Sequence, residues 1–174
     1  MQSLFETGAH LGYRKSRRHP SVQDHILVTK NTRDMIDLEK TEQALNTALE
    51  ALKEIKQAGK MILFVGSKPE ARDITIGIAG SLNMPYVDER WIGGTLTNFS
   101  EIRKRVERLA DLQYKQEKNE LIFKTKKEKL LIEREIARLT KNFGGLLFMN
   151  KLPDALFIID SRSESIAVIE AQRK

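Results

Sequence analysis

The sequence predicts an α/β fold in which a mostly parallel sheet is flanked by helices and an antiparallel helical hairpin is inserted into the chain. Two wholly apolar runs, residues 61–65 and 155–159, are typical of strands that are buried on both faces. Amphipathic segments alternate with strand-like segments, which is the pattern of strand–helix–strand units. Between residues 98 and 143, two amphipathic segments follow each other directly, and this arrangement predicts the hairpin, a coiled coil of two helices.

The first third of the chain is predicted to be an irregular arm followed by a helix. Residues 1–33 show no sustained period and contain a short strand near residues 25–28. After the short apolar segment 35–38, a helix runs to Gly59, a residue type favoured just beyond a helix C-terminus. The apolar residues of this helix recur on one face and are Leu45, Leu49, Leu52 and Ile55.

The sheet itself is predicted from the middle and the end of the chain. The run 61–65 forms a buried strand, and Pro69 fits the first turn of the helix that follows it. A short strand near Tyr86 comes next, and the run 155–159 precedes a helix from Ser165. The helix that begins at Pro69 is expected to turn Ala71, Ile74, Ile78 and Leu82 inward. One sheet of about four strands is expected from the segments near Ile36, Leu63, Tyr86 and Ile158.

We divide the chain into an α/β domain, residues 1–97 and 144–174, and a protruding helical hairpin, residues 98–143. Asn98 can cap the first hairpin helix, and Thr125 opens the second with a capping-box pattern. The predicted apolar seam pairs Phe99, Ile102, Val106 and Leu109 with Ile132, Ile136, Leu139 and Phe143.

Composition indicates a soluble globular protein with a strongly charged surface. Hydrophobic residues make up 40% and charged residues 31% of 174 residues, enough for one core. No apolar run approaches the roughly 20 residues that cross a bilayer, and no secretory signal is visible at the N-terminus. The chain has no cysteine, which excludes disulfides and thiolate chemistry. We therefore expect a cytosolic protein.

Positive charge is concentrated in two places. The net charge of +6 and the pI near 9.5 indicate a polyanionic partner. Residues 101–141 hold 13 Lys/Arg against 8 Asp/Glu, although charged helices are usually solvated faces. A second cluster lies beside His19. Its segment contains glycine and proline and lacks helical periodicity, so a solvated helix face explains it less well. It consists of Arg14, Lys15, Arg17 and Arg18.

The run 89–98, Glu-Arg-Trp-Ile-Gly-Gly-Thr-Leu-Thr-Asn, contains the only tryptophan of the sequence. Arg90 and Trp91 place a cation beside a flat π face, a pair suited to stacking on a base or a sugar. Gly93 and Gly94 allow positive φ or close approach to another surface. A packed tryptophan next to a tight turn explains the same residues equally well, because most single tryptophans serve packing.

The sequence contains no pattern that identifies an active site. The segment 66–69, Gly-Ser-Lys-Pro, follows a strand and opens a helix, but it has neither glycine spacing of a nucleotide site. We interpret it as a strand-to-helix turn from which Lys68 and Arg72 can meet an RNA phosphate. The three histidines lack metal-ligand spacing, and no carboxylates or serines are spaced for catalysis. We expect neither an enzyme nor a metal or cofactor; a nucleotide-binding enzyme and a free RNA-binding adaptor are the competing classes.

Six blocks of this sequence carry a family resemblance. They are residues 8–12, 36–41, 62–68, 90–98 with 102–105, 152–160 and 166–171. In this order they resemble blocks of the bacterial-type small-subunit ribosomal protein two family. Tyr13 and His19 depart from the family's commoner residues. Members usually continue with a further apolar strand, whereas this chain stops at Lys174, either as a shortened version or as a fragment. Without that further strand, the run 156–159 is expected to present a sheet edge.

This resemblance implies a three-layer α/β domain with a long inserted hairpin, bound to ribosomal RNA between the head and body of the small subunit. It also implies neighbouring ribosomal proteins as partners, including small-subunit protein one, which captures messenger RNA. We expect a structural constituent of cytoplasmic or organellar ribosomes, without membrane contact or homo-oligomer formation. The residues predicted to contact RNA are Arg14, Lys15, Arg17, Arg18, His19, Lys68, Arg90, Trp91, Gly93, Gly94, Thr97, Asn98, Arg103 and Lys104.

Overall fold

The computed structural model describes residues 2–121, 123 and 125–174, which form a mixed helix and strand fold. The chain divides into two compact units, Met1–Gln57 and Ala58–Lys174. No helix in the described ranges combines the length and the apolar character that crossing a membrane requires.

The first unit is built on a three-stranded antiparallel sheet. The strand order is β1–β3–β2, so the central strand is β3. The arm predicted to be irregular therefore consists largely of strands and helical turns. The segment near Ile36 belongs to this antiparallel sheet and not to the parallel one. The elements are α1 (Gln2–Glu6), β1 (Leu11–Arg14), two 3-10 turns (Lys15–Arg17 and Pro20–His25), β2 (Ile26–Lys30), β3 (Arg33–Ile36) and α2 (Leu38–Gln57).

A two-residue turn joins β2 to β3. Asn31 and Thr32 have φ of 49° and 66°, and the flanking Lys30 and Arg33 are directly paired. Positive φ at both central positions matches the right-handed twist of the strands, but a β-branched threonine adopts it only under strain. The Thr32 carbonyl accepts a hydrogen bond of 2.9 Å from the Lys15 amide, so the turn is tied to the arm.

Helix α2 buries none of its side chains. Leu45 and Leu49, on its predicted apolar face, are 46% and 43% exposed, and Leu52 and Ile55 are half-buried. The spacing identified residues that share a face; whether that face is covered depends on packing, which periodicity does not encode.

The second unit contains a parallel sheet flanked by helices, as predicted. Its strand order is β5–β4–β6, and all four residues of β4 are buried. The sheet has three strands rather than the expected four, and β6 lies at one edge. The elements are β4 (Ile62–Val65), α3 (Pro69–Leu82), β5 (Tyr86–Val87), α4 (Phe99–Glu117), α5 (Lys126–Phe143), a 3-10 turn (Gly144–Leu146), β6 (Ala155–Ile158) and α6 (Ser165–Gln172).

Helix α3 turns a different stripe inward from the one predicted. Thr75 and Ala79 are buried, whereas Ile74 and Ile78 are 59% and 45% exposed. The cause is a close approach to the sheet: a Cβ on Gly66 would lie 2.4 Å from Thr75 Oγ1. Only the small side chains of the helix fit against the strand at this distance.

Helices α4 and α5 contribute their predicted seam residues to one hydrophobic cluster. Between the helices, Arg108 Nε lies 3.3 Å from Glu135 and Gln113 Nε2 lies 3.5 Å from Thr140. From the first link to the second, the residue numbers rise along both helices, from 108 to 113 and from 135 to 140. In an antiparallel pair the numbers on one helix fall as those on the other rise, so these two links do not establish antiparallel pairing. The hairpin and its domain boundary stay predictions, and residues 122 and 124 of the connection lie outside the described residues.

Candidate nucleic-acid interface

Three basic side chains of the arm lie together on the surface of the first unit. Arg14 ends β1, and Lys15 and Arg17 occupy the 3-10 turn that follows; all three are exposed. In the part of the chain that the structure describes, none of them forms an ion pair. Because Lys15 is bonded to the β2–β3 turn through its backbone, these charges are held on an ordered surface.

Arg18, the fourth basic residue of the arm, is already engaged inside the protein. Its Nε donates to Asp34 Oδ2 at 2.8 Å, its Nη2 donates to Asp34 Oδ1, and Thr29 Oγ1 adds a third acceptor at 2.8 Å. The bound guanidinium lowers the pKa of Asp34 to about 2. This bidentate pair joins the arm to the sheet, which indicates a structural role for Arg18 instead of the predicted direct RNA contact.

His19 has a local structural role as well. Its Nδ1 accepts a hydrogen bond of 3.3 Å from the Ser21 amide and lies 2.8 Å from Ser21 Oγ. The imidazole therefore caps the 3-10 turn Pro20–His25. The ring remains exposed at the edge of the arm.

Trp91 is packed and cannot stack on a base in this structure. Only 4% of its surface is exposed, and it belongs to the main hydrophobic cluster of the second unit. Of the two interpretations of the tryptophan, packing is the one that the structure supports. The neighbouring Arg90 remains exposed and has no ion pair within the described residues.

The loop that follows Trp91 is organised by a carboxylate from α6. Glu170 is 6% exposed, and its two oxygens accept hydrogen bonds from backbone and side-chain donors of the loop. Sequence reasoning listed Glu170 only within a family block, because its partners lie more than 70 residues away. The donors are Trp91 Nε1 at 3.3 Å, Gly94 N at 2.6 Å, Leu96 N at 3.0 Å, Thr97 N at 3.2 Å and Thr97 Oγ1 at 3.3 Å.

These donors keep Glu170 ionised. Burial by itself raises the pKa of this carboxyl, but the hydrogen bonds from Gly94, Leu96, Trp91 and Thr97 outweigh it, so the pKa lies below its ordinary value. The amides of the glycine-rich loop thus already bind an internal anion. Gly94 and Thr97 cannot use these same donors for an RNA phosphate while Glu170 is bound.

The outer side of this loop keeps several polar groups on the surface. Gly93, Thr97 and Asn98 are exposed, and Gly94 has φ of 95°, a conformation that favours glycine. Asn98 occupies the N-cap position of α4, but its side chain makes no capping hydrogen bond. The predicted cap at Thr125 is present, because its side chain accepts from the Glu128 amide at 3.1 Å.

A cleft of about 320 Å³ lies beside the carboxyl end of β4. Two of its lining residues, Glu89 and Glu164, are acidic, and Arg90 is the cation among them. Ser67 donates a hydrogen bond to Glu164. The acidic lining disfavours a phosphate, and among the described residues no group of three His, Asp or Glu side chains is placed to hold a metal. The other lining residues are Ser67, Trp91, Ser163 and Ile166.

Three predicted contact residues are paired within the second unit. Lys68 forms an ion pair with Asp160 and lowers the pKa of that carboxyl to about 2. Arg103 donates to the Met149 carbonyl at 3.1 Å and so fastens α4 to the segment after α5. Lys104 is bonded to Glu101 at 2.6 Å, but its side chain is 69% exposed.

The predicted RNA-contact residues therefore separate into four groups, one of which is the loop residues Gly93, Gly94, Thr97 and Asn98 described above. The exposed cations Arg14, Lys15 and Arg17 lie together in the first unit, while Arg90 and Lys104 lie on the surface of the second. Arg18, His19, Lys68 and Arg103 are engaged with other groups of the protein. Trp91 belongs to the core.

Comparison with known proteins identifies the family of this chain. The family model for ribosomal protein S2 matches residues 4–174. The chain is 40% identical over 172 residues to small ribosomal subunit protein uS2 of Chlorobium chlorochromatii, 42% over 171 residues to that of Phocaeicola vulgatus, and 40% over 173 residues to that of a Roseiflexus species. These matches cover 99%, 98% and 99% of this chain and 68%, 61% and 66% of the relatives.

The family that these matches identify is one of structural proteins and not of enzymes. The chain belongs to the ribosomal protein S2 family, which confirms the resemblance found in the sequence. It spans about two thirds of the length of the relatives that it matches.

Proposed function

We propose that this protein is a structural component of the small ribosomal subunit and binds ribosomal RNA through the exposed cations of its arm. The observation that carries the proposal is the group of Arg14, Lys15 and Arg17, which are exposed and have no ion pair within the described residues. Cations held on an ordered surface can neutralise backbone phosphates and release their counterions. The relatives bear the name small ribosomal subunit protein uS2, which supports the same assignment.

The second unit supplies further contacts in this proposal. Arg90 and Lys104 are the exposed cations of the predicted set there, and each can meet an RNA phosphate. The segment 98–143, as an antiparallel hairpin, projects toward RNA or a neighbouring ribosomal protein. Small-subunit protein one is the neighbour that the family resemblance suggests, and the cytoplasm is the location that the bacterial relatives suggest.

The arm is tested with Arg14→Gln/Lys15→Gln/Arg17→Gln in binding to small subunits depleted of their S2-family protein, across a range of salt concentrations. If most of the three side chains touch phosphate, the log–log salt slope falls by about two, because each phosphate contributes roughly 0.7 to 0.9. Lys53→Gln/Arg173→Gln/Lys174→Gln removes the same charge from exposed positions elsewhere and should leave the slope near its original value.

Two outcomes would count against the proposal in different ways. An unchanged slope in the arm variant would mean that Arg14, Lys15 and Arg17 are ordinary solvated side chains that make no phosphate contact. Failure of the unaltered protein to sediment with depleted subunits at moderate salt would reject the ribosomal assignment and favour a free RNA-binding adaptor.

A further inference from the structure

The antiparallel sheet places one cation on each of its three strands in a single row. Arg33 on β3 is directly paired with Arg14 on β1 and with Lys30 on β2. Directly opposite residues of neighbouring strands project from the same face. Arg14, Arg33 and Lys30 therefore form a row of three like charges across the sheet, which we call the cation row.

The cation row has no compensating carboxylate in the part of the chain that the structure describes. All three side chains are exposed, and none is ion-paired there. Asp34, the neighbouring acid on β3, projects from the opposite face because side chains alternate along a strand. It is bound there by Arg18 and Thr29.

Such a row opposes folding by itself. Like charges at directly opposite positions of a sheet repel each other and destabilise the pairing. The turn that joins Lys30 to Arg33 also holds Thr32 at a φ of 66°, a strained conformation for threonine. Two unfavourable features thus occur at the same end of one small sheet.

An anionic partner accounts for the uncompensated charge of the row. An open hollow of about 500 Å³ adjoins the row and is lined by Arg14, Lys15, Ser16 and Thr32. Three strands span roughly 10 Å, which lets successive phosphates of a backbone meet separate cations of the row. The next row on the same face is apolar, Leu11, Met35 and Val28, so the charge is confined to this end.

We infer that the cation row is a docking site for the sugar–phosphate backbone of an RNA strand, with Lys30 and Arg33 as contact residues that sequence analysis did not identify. This inference rests on the proposed ribosomal function and specifies where the RNA lies on the first unit. Lys15, held beside the β2–β3 turn, extends the row into the hollow.

The test uses Lys30→Gln/Arg33→Gln in the full chain with depleted small subunits as the probe. The salt slope should fall by roughly 1.4 to 1.8, the contribution of two phosphates. In the absence of RNA, the same variant should melt about 1 to 3 °C higher, because the repulsion across the sheet is relieved. Lys53→Gln/Arg173→Gln is the matched control and should change neither quantity.

A second measurement locates the partner. The chain has no cysteine, so Ser16→Cys in the hollow provides a single attachment point for an iron chelate that cleaves nearby RNA with hydroxyl radicals. Cleavage of the ribosomal RNA at one discrete region, lost in the Lys30→Gln/Arg33→Gln background, is the expected result. Asn46→Cys on α2 serves as the reference position.

Three results separate the inference from the proposed function. An unchanged salt slope in Lys30→Gln/Arg33→Gln, with normal binding of the unaltered protein, would overturn the cation row alone. Weaker association with subunits but no RNA cleavage from Ser16→Cys would assign the row to a protein partner and also overturn it. If the unaltered protein does not bind subunits at all, it is the proposed function that fails.

Discussion

At the scale of single residues, Glu170 organises the loop that follows Trp91 in the second unit. One buried carboxylate accepts from the indole of Trp91, from three backbone amides and from a hydroxyl. A loop rich in glycine and threonine presents amides of the kind that bind phosphates in other proteins. Here those amides bind Glu170 within the fold. The first role of the loop is therefore structural, and recognition of a ligand comes second.

Replacing Glu170 with glutamine tests this assignment. The change preserves the shape but removes the charge and turns an NH₂ group toward N–H donors, so we expect a loss of about 2 to 4 kcal/mol in the free energy of unfolding. Urea denaturation followed by circular dichroism measures it. Glu107→Gln, at an exposed site on α4, is the matched control and should change stability by less than about 1 kcal/mol. Equal stability of the two variants would contradict the role of Glu170.

Arg18 and Trp91 illustrate why residue type alone does not separate a contact with RNA from a contact within the fold. Arginine and tryptophan are enriched at binding surfaces, but both also satisfy buried partners well. Arg18 is hydrogen-bonded to Asp34, 16 positions away in the sequence, and Trp91 is hydrogen-bonded to Glu170, 79 positions away. No spacing rule relates residues so far apart, so the sequence left both interpretations open.

At the scale of secondary-structure elements, two close approaches set the packing of the parallel sheet. Gly66 admits α3 onto β4, and Gly145 admits the 3-10 turn Gly144–Leu146 onto β5. A Cβ on Gly145 would lie 2.2 Å from the Tyr86 carbonyl oxygen and 2.7 Å from its ring. Both neighbouring groups belong to the sheet and have little room to move.

Gly145→Ala should therefore destabilise the protein by about 1 to 3 kcal/mol, because the added methyl group overpacks the contact with β5. Gly80→Ala is the matched control: Gly80 lies within α3, and a Cβ there meets nothing within 4 Å. This second change should stabilise the helix by roughly 0.5 to 1 kcal/mol. Chemical denaturation of both variants checks the opposite signs, and a neutral Gly145→Ala would show that the turn can move.

Element type was predictable along much of the chain, whereas strand partnership was not. The apolar runs at β4 and β6 indicated buried strands, and these strands pair in parallel as expected. The segment near Ile36 was expected to join the same sheet, yet as β3 it pairs with β1 and β2 in a separate antiparallel sheet. Pairing depends on which edges meet in space, and a single strand does not encode that.

At the scale of the whole molecule, both units depend on a carboxylate that favours its ionised form. Arg18 is the main cause that lowers the pKa of Asp34 to about 2 in the first unit, and Lys68 does the same for Asp160 in the second. The ordinary value of both groups is 3.8. Each carboxylate therefore contributes stability that is fully present above this value and is lost as the pH falls toward about 2.

We expect the melting temperature of the unaltered chain to fall steeply between about pH 4 and pH 2. Asp34→Asn/Asp160→Asn should melt lower at neutral pH but lose less over this interval, since neither site titrates. Circular dichroism melts at several pH values measure the slope, and Asp73→Asn, at an exposed position on α3, is the control that keeps it. If the double variant keeps the original slope, other groups govern the acid response.

By itself the sequence determined the membership in the ribosomal protein S2 family, the apolar strands of the parallel sheet and the cap at Thr125, because each is written in local spacing or in ordered motifs. It also identified Arg14, Lys15 and Arg17 as candidate phosphate contacts. That these side chains are exposed is seen only in the structure. The tertiary structure decided which cations are neutralised, which tryptophan interpretation holds and which strands share a sheet. It also brought Arg14, Arg33 and Lys30 into one row. These outcomes depend on contacts between distant positions, and such contacts form only when the chain has folded.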